Sequence, residues 1–286
     1  DELRVSSDGL LVGFGYESFG RQAARFSVKD RSLQHGGEGV TLRAPRFEAA
    51  SIALKDWSNS MAPTLAGQTL RLEPGEIARS FAIAADDQGF ALGTEFMLRR
   101  YDRKGQLRWS VAAPGTVWSV NLSVDGRFVV AACGDGTIRW YRWSDGRELL
   151  AFFPHGDRQR WVLWTPSGYY DASPGGEELI GWHVNRGKDM AADFFPAARF
   201  RSRYHRPDVI ARLLDTLDEG EALRLANLDG GRKADAVSIE MMLPPVVEIL
   251  SPEDGSQVST DSIRLRYRTR TPADAPALGL RVRVNG

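Results

Sequence analysis

The chain has 286 residues, enough for two domains or for one large all-β domain. Its 37 Lys and Arg are balanced by 37 Asp and Glu along the whole length, so the composition carries no footprint for nucleic acid or a membrane surface. A single cysteine, Cys133, excludes an intrachain disulfide and points toward a reducing compartment, so a cytoplasmic location is expected.

No apolar run approaches a membrane span, so no membrane insertion is expected, and no signal peptide opens the chain. The chain lacks an initiator Met and stops in the strand-like Val284-Asn285-Gly286. It therefore reads as a piece of a longer polypeptide.

Internal repeats dominate the first two thirds. Leu3–Gly9 runs into Leu10–Gly15, Phe81–Asp87 into Gly89–Gly93, Val120–Gly126 into Phe128–Gly134, and Trp161–Gly168 into Tyr169–Ala172. Each is a short apolar run, a turn centred on Asp-Gly or its equivalent, and a second apolar run ending in small residues. Asp8 to Asp86 is twice 39 positions, Asp86 to Asp125 is 39, and Asp125 to Ser167 is 42. A period of about 40 with four short strands per unit is the spacing of WD40 propeller blades.

The clearest unit predicts strands over Thr116–Ser123, Arg127–Cys133, Ile138–Trp143 and Glu148–Phe153, with turns at Asp125-Gly126, Asp135-Gly136 and Asp145-Gly146. A degenerate unit should centre near Arg46-Phe47, with Ile52-Ala53-Leu54 as its next strand.

After about residue 187 the period changes. Asp208–Leu214 and Glu219–Asn227 have helical spacing. Beyond Pro244-Pro245, alternating runs at Val246–Leu250, Gln257–Ser259, Ile263–Arg268 and Leu280–Val284 look like the first strands of an immunoglobulin-like β-sandwich. The expected organisation is propeller blades over 1–187, a short helical connector over 188–243, and a truncated immunoglobulin-like domain over 244–286. The expected class is all-β, with a partial propeller of about four or five blades.

Gly134-Asp135-Gly136-Thr137-Ile138-Arg139-Trp140 resembles the end of a WD40 repeat. The string Trp161–Gly176, followed by Gly181–Gly187, resembles the last blade of the WD40 region in bacterial caspase-like (peptidase C14) multidomain proteins. So do Phe194-Phe195-Pro196, Arg199-Phe200-Arg201 and Arg206–Val209. The resemblance covers most of 1–228. It implies a final blade at Trp161–Gly187 and a protease domain outside this chain. A partial ring implies exposed end blades.

No catalytic set is legible. Ala132-Cys133-Gly134 with His35-Gly36 and His155-Gly156 mimics caspase pieces, but Cys133 falls at the small-residue end of a strand. His183 and His205 lack metal-ligand spacing, and His183 is expected to pack beside Trp182. Asn121-Leu122-Ser123 is a sequon placed mid-strand.

No cofactor motif appears. The expected function is non-catalytic protein binding or scaffolding, toward a protein partner or an attached domain of the same polypeptide. The rival readings are a hydrolase with carboxylates or His155 at its centre, and a plain spacer. By side-chain chemistry the partner-binding candidates are Trp57, Arg99, Arg100, Trp140, Arg142, Arg158 and Arg160.

Overall fold

The computed structural model describes residues 3–17, 21–36, 42–184, 192–231, 246–252, 262–270, 279 and 281–282. The chain divides into two compact units, Asp1–Gly230 and Gly231–Gly286.

The first unit is built from antiparallel meanders. Strands β1 (Arg4–Val5), β2 (Leu11–Gly15), β3 (Ala23–Ser27) and β4 (Ser32–His35) form the first sheet. Short strands β5 (Leu54–Lys55), β6 (Thr64–Leu65) and β7 (Gln68–Thr69) form a second. Strands β8 (Ala78–Ile83), β9 (Gly89–Thr94), β10 (Met97–Asp102) and β11 (Leu107–Ala112) form a third. Strands β12 (Val117–Leu122), β13 (Phe128–Cys133), β14 (Ile138–Arg142) and β15 (Glu148–Pro154) match the four strands expected of the clearest unit.

The repeat has a physical basis in the hairpin after each first strand. In two units a serine two residues before the aspartate holds it: Ser6 Oγ donates to Asp8 at 2.5 Å and Ser123 Oγ to Asp125 at 2.6 Å. The aspartates in turn accept backbone N–H groups, from Leu10, Gln88 and Arg127 in the three full sheets. The next position is left-handed in all three, at Gly9, Asp87 and Gly126 (φ 71°, 58° and 70°), which is why glycine or a short polar residue recurs there.

Two expectations are corrected. The Trp161–Gly187 string is not a separate blade. Its strands β16 (Trp161–Trp164) and β17 (Tyr170–Ala172) continue the pairing past β15 and make a six-stranded sheet. Gly181–Val184 leaves that sheet, as β18, which pairs with β19 (Asp193–Pro196). The degenerate unit is also less regular than expected. Arg46 and Phe47 lie outside any strand, and Ile52 makes only an isolated bridge with Ala49.

The stacking order is not the chain order. One face of the 117–172 sheet meets the third sheet through Val117, Val129, Ala131, Tyr141, Ala82 and Leu98. The other face meets the first sheet, with Phe26 stacked on Phe152 at 4.0 Å. The first strand β12 packs against both β8 and β1, and residues 43–46 bridge β1 and β8. Arg43 exchanges two backbone hydrogen bonds with Val5, and the Ile83 N–H donates to Arg46 O. Buried Asn121 pins the junction, donating to Leu3 O and Arg43 O at 2.9 Å each. That sequon is therefore core.

Helices α1 (Arg201–Tyr204), α2 (Pro207–Thr216) and α3 (Glu219–Asp229) complete the unit. Pro207 opens α2 at a position that needs no N–H donor, and Asp218 caps α3 by accepting from Glu221 N. Val209, Ile210, Leu213, Leu214, Ala222 and Ala226 enter the same core as the first and fourth sheets. Among the described residues of the expected connector, those that form α2 and α3 thus belong to the packed first unit.

In the second unit, β20 (Val246–Ser251) pairs with β21 (Arg266–Arg270). The expected strands at Gln257–Ser259 and most of Leu280–Val284 lie outside the described residues.

Candidate functional site

The meanders place the turns after β1, β8 and β12 at one end of the first unit. The turns after β2, β9, β13 and β15, and the starts of β8 and β12, lie at the other. Exposed aromatic chemistry gathers at this second end.

Two β-bulges create it. Ala78 pairs with Thr94 and Ser80 with Gly93, so Arg79 is the extra residue; Val117 pairs with Cys133 and Ser119 with Ala132, so Trp118 is the extra residue. A bulge twists its strand and re-aims one side chain. Arg79 and Trp118 lie 39 positions apart, one repeat, and meet: the Arg79 guanidinium sits 5.5 Å over the Trp118 ring.

Arg79 also reaches Glu95 and Asn59. Next to these partners stand Phe96, 58% exposed, and Met61, 61% exposed, while Trp118 itself is 58% exposed. Lone exposed apolar residues need no explanation, but three of them, Trp118, Phe96 and Met61, on or beside the partners of one guanidinium form a surface suited to a protein partner.

The seven sequence candidates do not converge. Arg99 is 4% exposed and forms a bidentate pair with Glu76 at 3.0 and 2.6 Å. Burial pushes the Glu76 carboxyl up, but hydrogen bonds from Arg99, Thr94 and the Glu73 N–H, with the Arg99 charge, outweigh it and hold the pKa below the usual value. Trp140 is fully buried, its indole N–H donating to Gly9 O at 2.8 Å. Neither can meet a partner, because the strand face that carries each is packed.

Trp57 wedges half-buried between Phe47 and Phe81, at 6.0 and 4.8 Å. Arg100 lies 4.1 Å over the Trp143 ring and donates to Trp143 O. Arg142 pairs with Asp145 and donates to Leu217 O, tying the sheet to the end of α2. Arg158 and Arg160 stand in the β15–β16 turn. Arg160 Nε pairs with Asp157 at 2.6 Å.

The missed residues are Arg79, Trp118, Phe96 and Met61. A bulge breaks the two-residue alternation on which strand reading depends, so Val117-Trp118-Ser119 looks like ordinary strand. The available signal was the recurrence of a large side chain at one point of the repeat: Arg79, Trp118 and, 42 positions on, Arg160.

The caspase-like pieces stay apart in chemistry. Burial pushes the Cys133 thiol up to about 12, and the charges it feels are Asp135, Arg139 and Glu148, with no imidazole among them. His183 is exposed on β18, whereas Trp182 packs on Phe200 and Tyr204, so the expected packing of His183 is corrected. His205 faces Asp171 at 3.6 Å, and Asp171 also takes Arg31 at 3.2 Å.

Among the described residues no group of His, Cys, Asp or Glu could hold a metal, and no helix is long and apolar enough to cross a membrane. A surface cleft of about 310 Å³ lies over the first sheet, lined by Ser6, Asp8, Arg25, Ser27, Asp30 and Gln34 among others. Its polar groups satisfy one another, Ser6 with Asp8, Ser27 with Asp30 and Arg25 with Gln34.

Fold and surface together define a mostly β protein of stacked antiparallel sheets with an aromatic and cationic end. No family model matches the chain, and no curated protein matches it. Among solved structures it is similar to BamB from Moraxella catarrhalis, at 14% identity and a TM-score of 0.27, over 60% of this chain and 41% of that one. The chain thus spans less than half the length of that protein, and the likeness is too slight to bear on fold or function.

Proposed function

We propose that this chain is a non-catalytic protein-binding scaffold, a propeller-like segment of a larger polypeptide that docks a protein partner on its Arg79–Trp118 end. One observation carries the reading: two consecutive repeats bulge at the same position and present an arginine stacked on an exposed tryptophan. Trp and Arg are the side chains most enriched among interface hot spots. The partner is a protein or an attached domain, with no nucleic acid and no small-molecule cofactor. The motif strings at 161–187 and 194–209 support a caspase-like parent, and the lone cysteine a cytoplasmic setting. In the same reading β20 and β21 open an immunoglobulin-like domain.

The test compares the chain with Trp118→Ala and Arg79→Ala variants in pull-downs from the source cells, with melting temperatures measured in parallel. Each variant is expected to fold as the parent does and to weaken capture of the same partner by tenfold or more, the loss of about 2 kcal/mol typical of a hot spot. Unchanged capture by both variants, or turnover of a hydrolase substrate that His155→Ala abolishes, would sink the proposal.

A further inference from the structure

We infer that the outer edge of β11 is a strand-addition site, which takes an extended segment of a partner protein onto the third sheet. The inference goes beyond the Arg79–Trp118 surface and stands without it. β11 closes the third sheet on one side, and among the described residues no strand pairs with its outer edge. The same position one repeat later is filled. There β15 carries β16 on its outer edge, paired antiparallel through Ala151↔Trp164 and Phe153↔Val162, in the six-stranded sheet.

The two strands share their bulge and their hydrogen-bonding parity. Arg108 is the extra residue between Leu107 and Trp109, as Leu149 is between Glu148 and Leu150. In β15 the His155 N–H donates to Arg160 O, so by antiparallel alternation the N–H groups of Phe153 and Ala151 also point to β16. The residues 41 positions before these two are Ala112 and Ser110. In β11 the Ala113 N–H donates to Phe96 O on the β10 side, so the N–H groups of Ala112 and Ser110 point outward. Two separate bonds, one in each strand, thus assign the same pair of amides to the open edge.

An open edge is a template for another chain, and natural sheets guard it with charge, proline or a very short strand. Past the bulge, Trp109-Ser110-Val111-Ala112-Ala113 carries no charge, and proline comes only at Pro114. Ala112 is exposed and Ser110 half-buried. By contrast β17, the last strand of the six-stranded sheet, is covered, since Tyr170 O accepts the Arg206 N–H and Tyr170 bridges His205. The side chains of β11 define the occupant. Trp109, Val111 and Ala113 pack toward the 117–172 sheet, so Ser110 and Ala112 face the other way. The segment that fits therefore alternates apolar with polar residues, the apolar ones in the row of Val111, and its main chain supplies the hydrogen bonds. The edge ends at Phe96, through the Ala113 bond, so it adjoins the surface on which a partner protein is proposed to sit.

The test uses the whole chain and a short capped peptide of alternating valine and threonine, flanked by lysines. The same peptide N-methylated at every amide, which cannot pair with a strand, is the control. Amide hydrogen exchange is read by NMR. The Ala112 and Ser110 amides are expected to slow with saturating peptide and to be unchanged by the control. Ala112→Pro removes one outward N–H and leaves the pairing with β10 whole, so it should weaken the peptide about tenfold, whereas Ala112→Ser should bind as the parent chain does. If Ala112→Pro melts well below the parent, the N-methylated control alone decides. Trp118→Ala should leave the protection intact, so failure of the edge and failure of the Arg79–Trp118 surface are distinguishable. Four results would overturn the partner-strand assignment: no protection of the two amides, equal protection by both peptides, parental affinity in a stably folded Ala112→Pro, or dimerisation of the free chain that Ala112→Pro abolishes.

Discussion

At the scale of single residues, burial decides which polar groups can act. Cys133 carries the only thiol, and its burial raises the pKa to about 12, so almost no thiolate exists at neutral pH. The native chain should resist a thiol reagent such as Ellman's at pH 8 and react with one equivalent once unfolded in guanidinium; fast native labelling would contradict the burial. Glu76 behaves in the opposite sense. Its carboxyl sits below the usual value, held by two bonds from Arg99 and one each from Thr94 and the Glu73 N–H. A depressed carboxylate pKa contributes stability that is complete above the unfolded value of about 4.3 and fades as pH falls through the folded value. Glu76→Gln leaves Arg99 buried without its counter-charge, which should cost about 3–5 kcal/mol in urea unfolding at pH 7. The difference from the parent chain should begin to shrink as the pH falls below the unfolded value of about 4.3, and vanish once the parent's carboxyl is protonated below its lowered folded value.

At the scale of elements, what was legible depended on whether a local rule coincided with the tertiary one. The Ser-x-Asp-Gly hairpins were legible because the serine, the aspartate and the left-handed residue that define them are adjacent in sequence. Helices α2 and α3 were legible from their spacing. The pairing of β16 with β15 was not, because a hairpin that starts a new blade and one that extends an old sheet have the same strand pattern. The 161–209 string also owes its residues to contacts between distant positions. The Trp161 N–H donates to Ser173 Oγ, the Tyr170 hydroxyl donates to Glu177, and the Arg206 N–H donates to Tyr170 O. Gly176 lies against Trp161: a Cβ there would stand 2.2 Å from its carbonyl oxygen. Gly176→Ala should therefore force β16 and the following 3-10 turn apart and cost about 1–3 kcal/mol, the usual range for overpacking. Gly126→Ala offers a contrast, since its Cβ meets nothing within 4 Å and only the positive φ resists it. Its cost should be about 1 kcal/mol, so a chemical-denaturation comparison giving the two equal cost would refute the packing account of the string.

At the scale of the whole molecule, the helices belong to the packing of the sheets. An apolar sheet face left at the end of a stack must be covered. Here the 117–172 sheet lies mid-stack, and its face away from the third sheet is covered by the first sheet together with α2 and α3, so the helices cap the part of that face next to the first sheet. The cap is also fastened by polar contacts, from Arg127 to Leu214 O at 3.1 Å, Arg142 to Leu217 O at 2.9 Å, and Arg147 to Asp218 at 3.2 Å. Arg142, a partner-binding candidate by chemistry, is used for that fastening. Val209, Ile210, Leu213 and Leu214 are each essentially buried, and burial of such side chains contributes roughly 1.5–3 kcal/mol apiece before the entropy of ordering the helix is subtracted. Their sum is comparable to the whole stability of a typical domain, about 5–15 kcal/mol. A chain ending at residue 205 should therefore lose cooperative melting and bind a hydrophobic dye. A chain ending at Gly231, where the second compact unit begins, should melt within a few degrees of the full-length chain. If the chain ending at 205 melts as the chain ending at 231 does, the helices are a connector after all, and the sheets hold together without them.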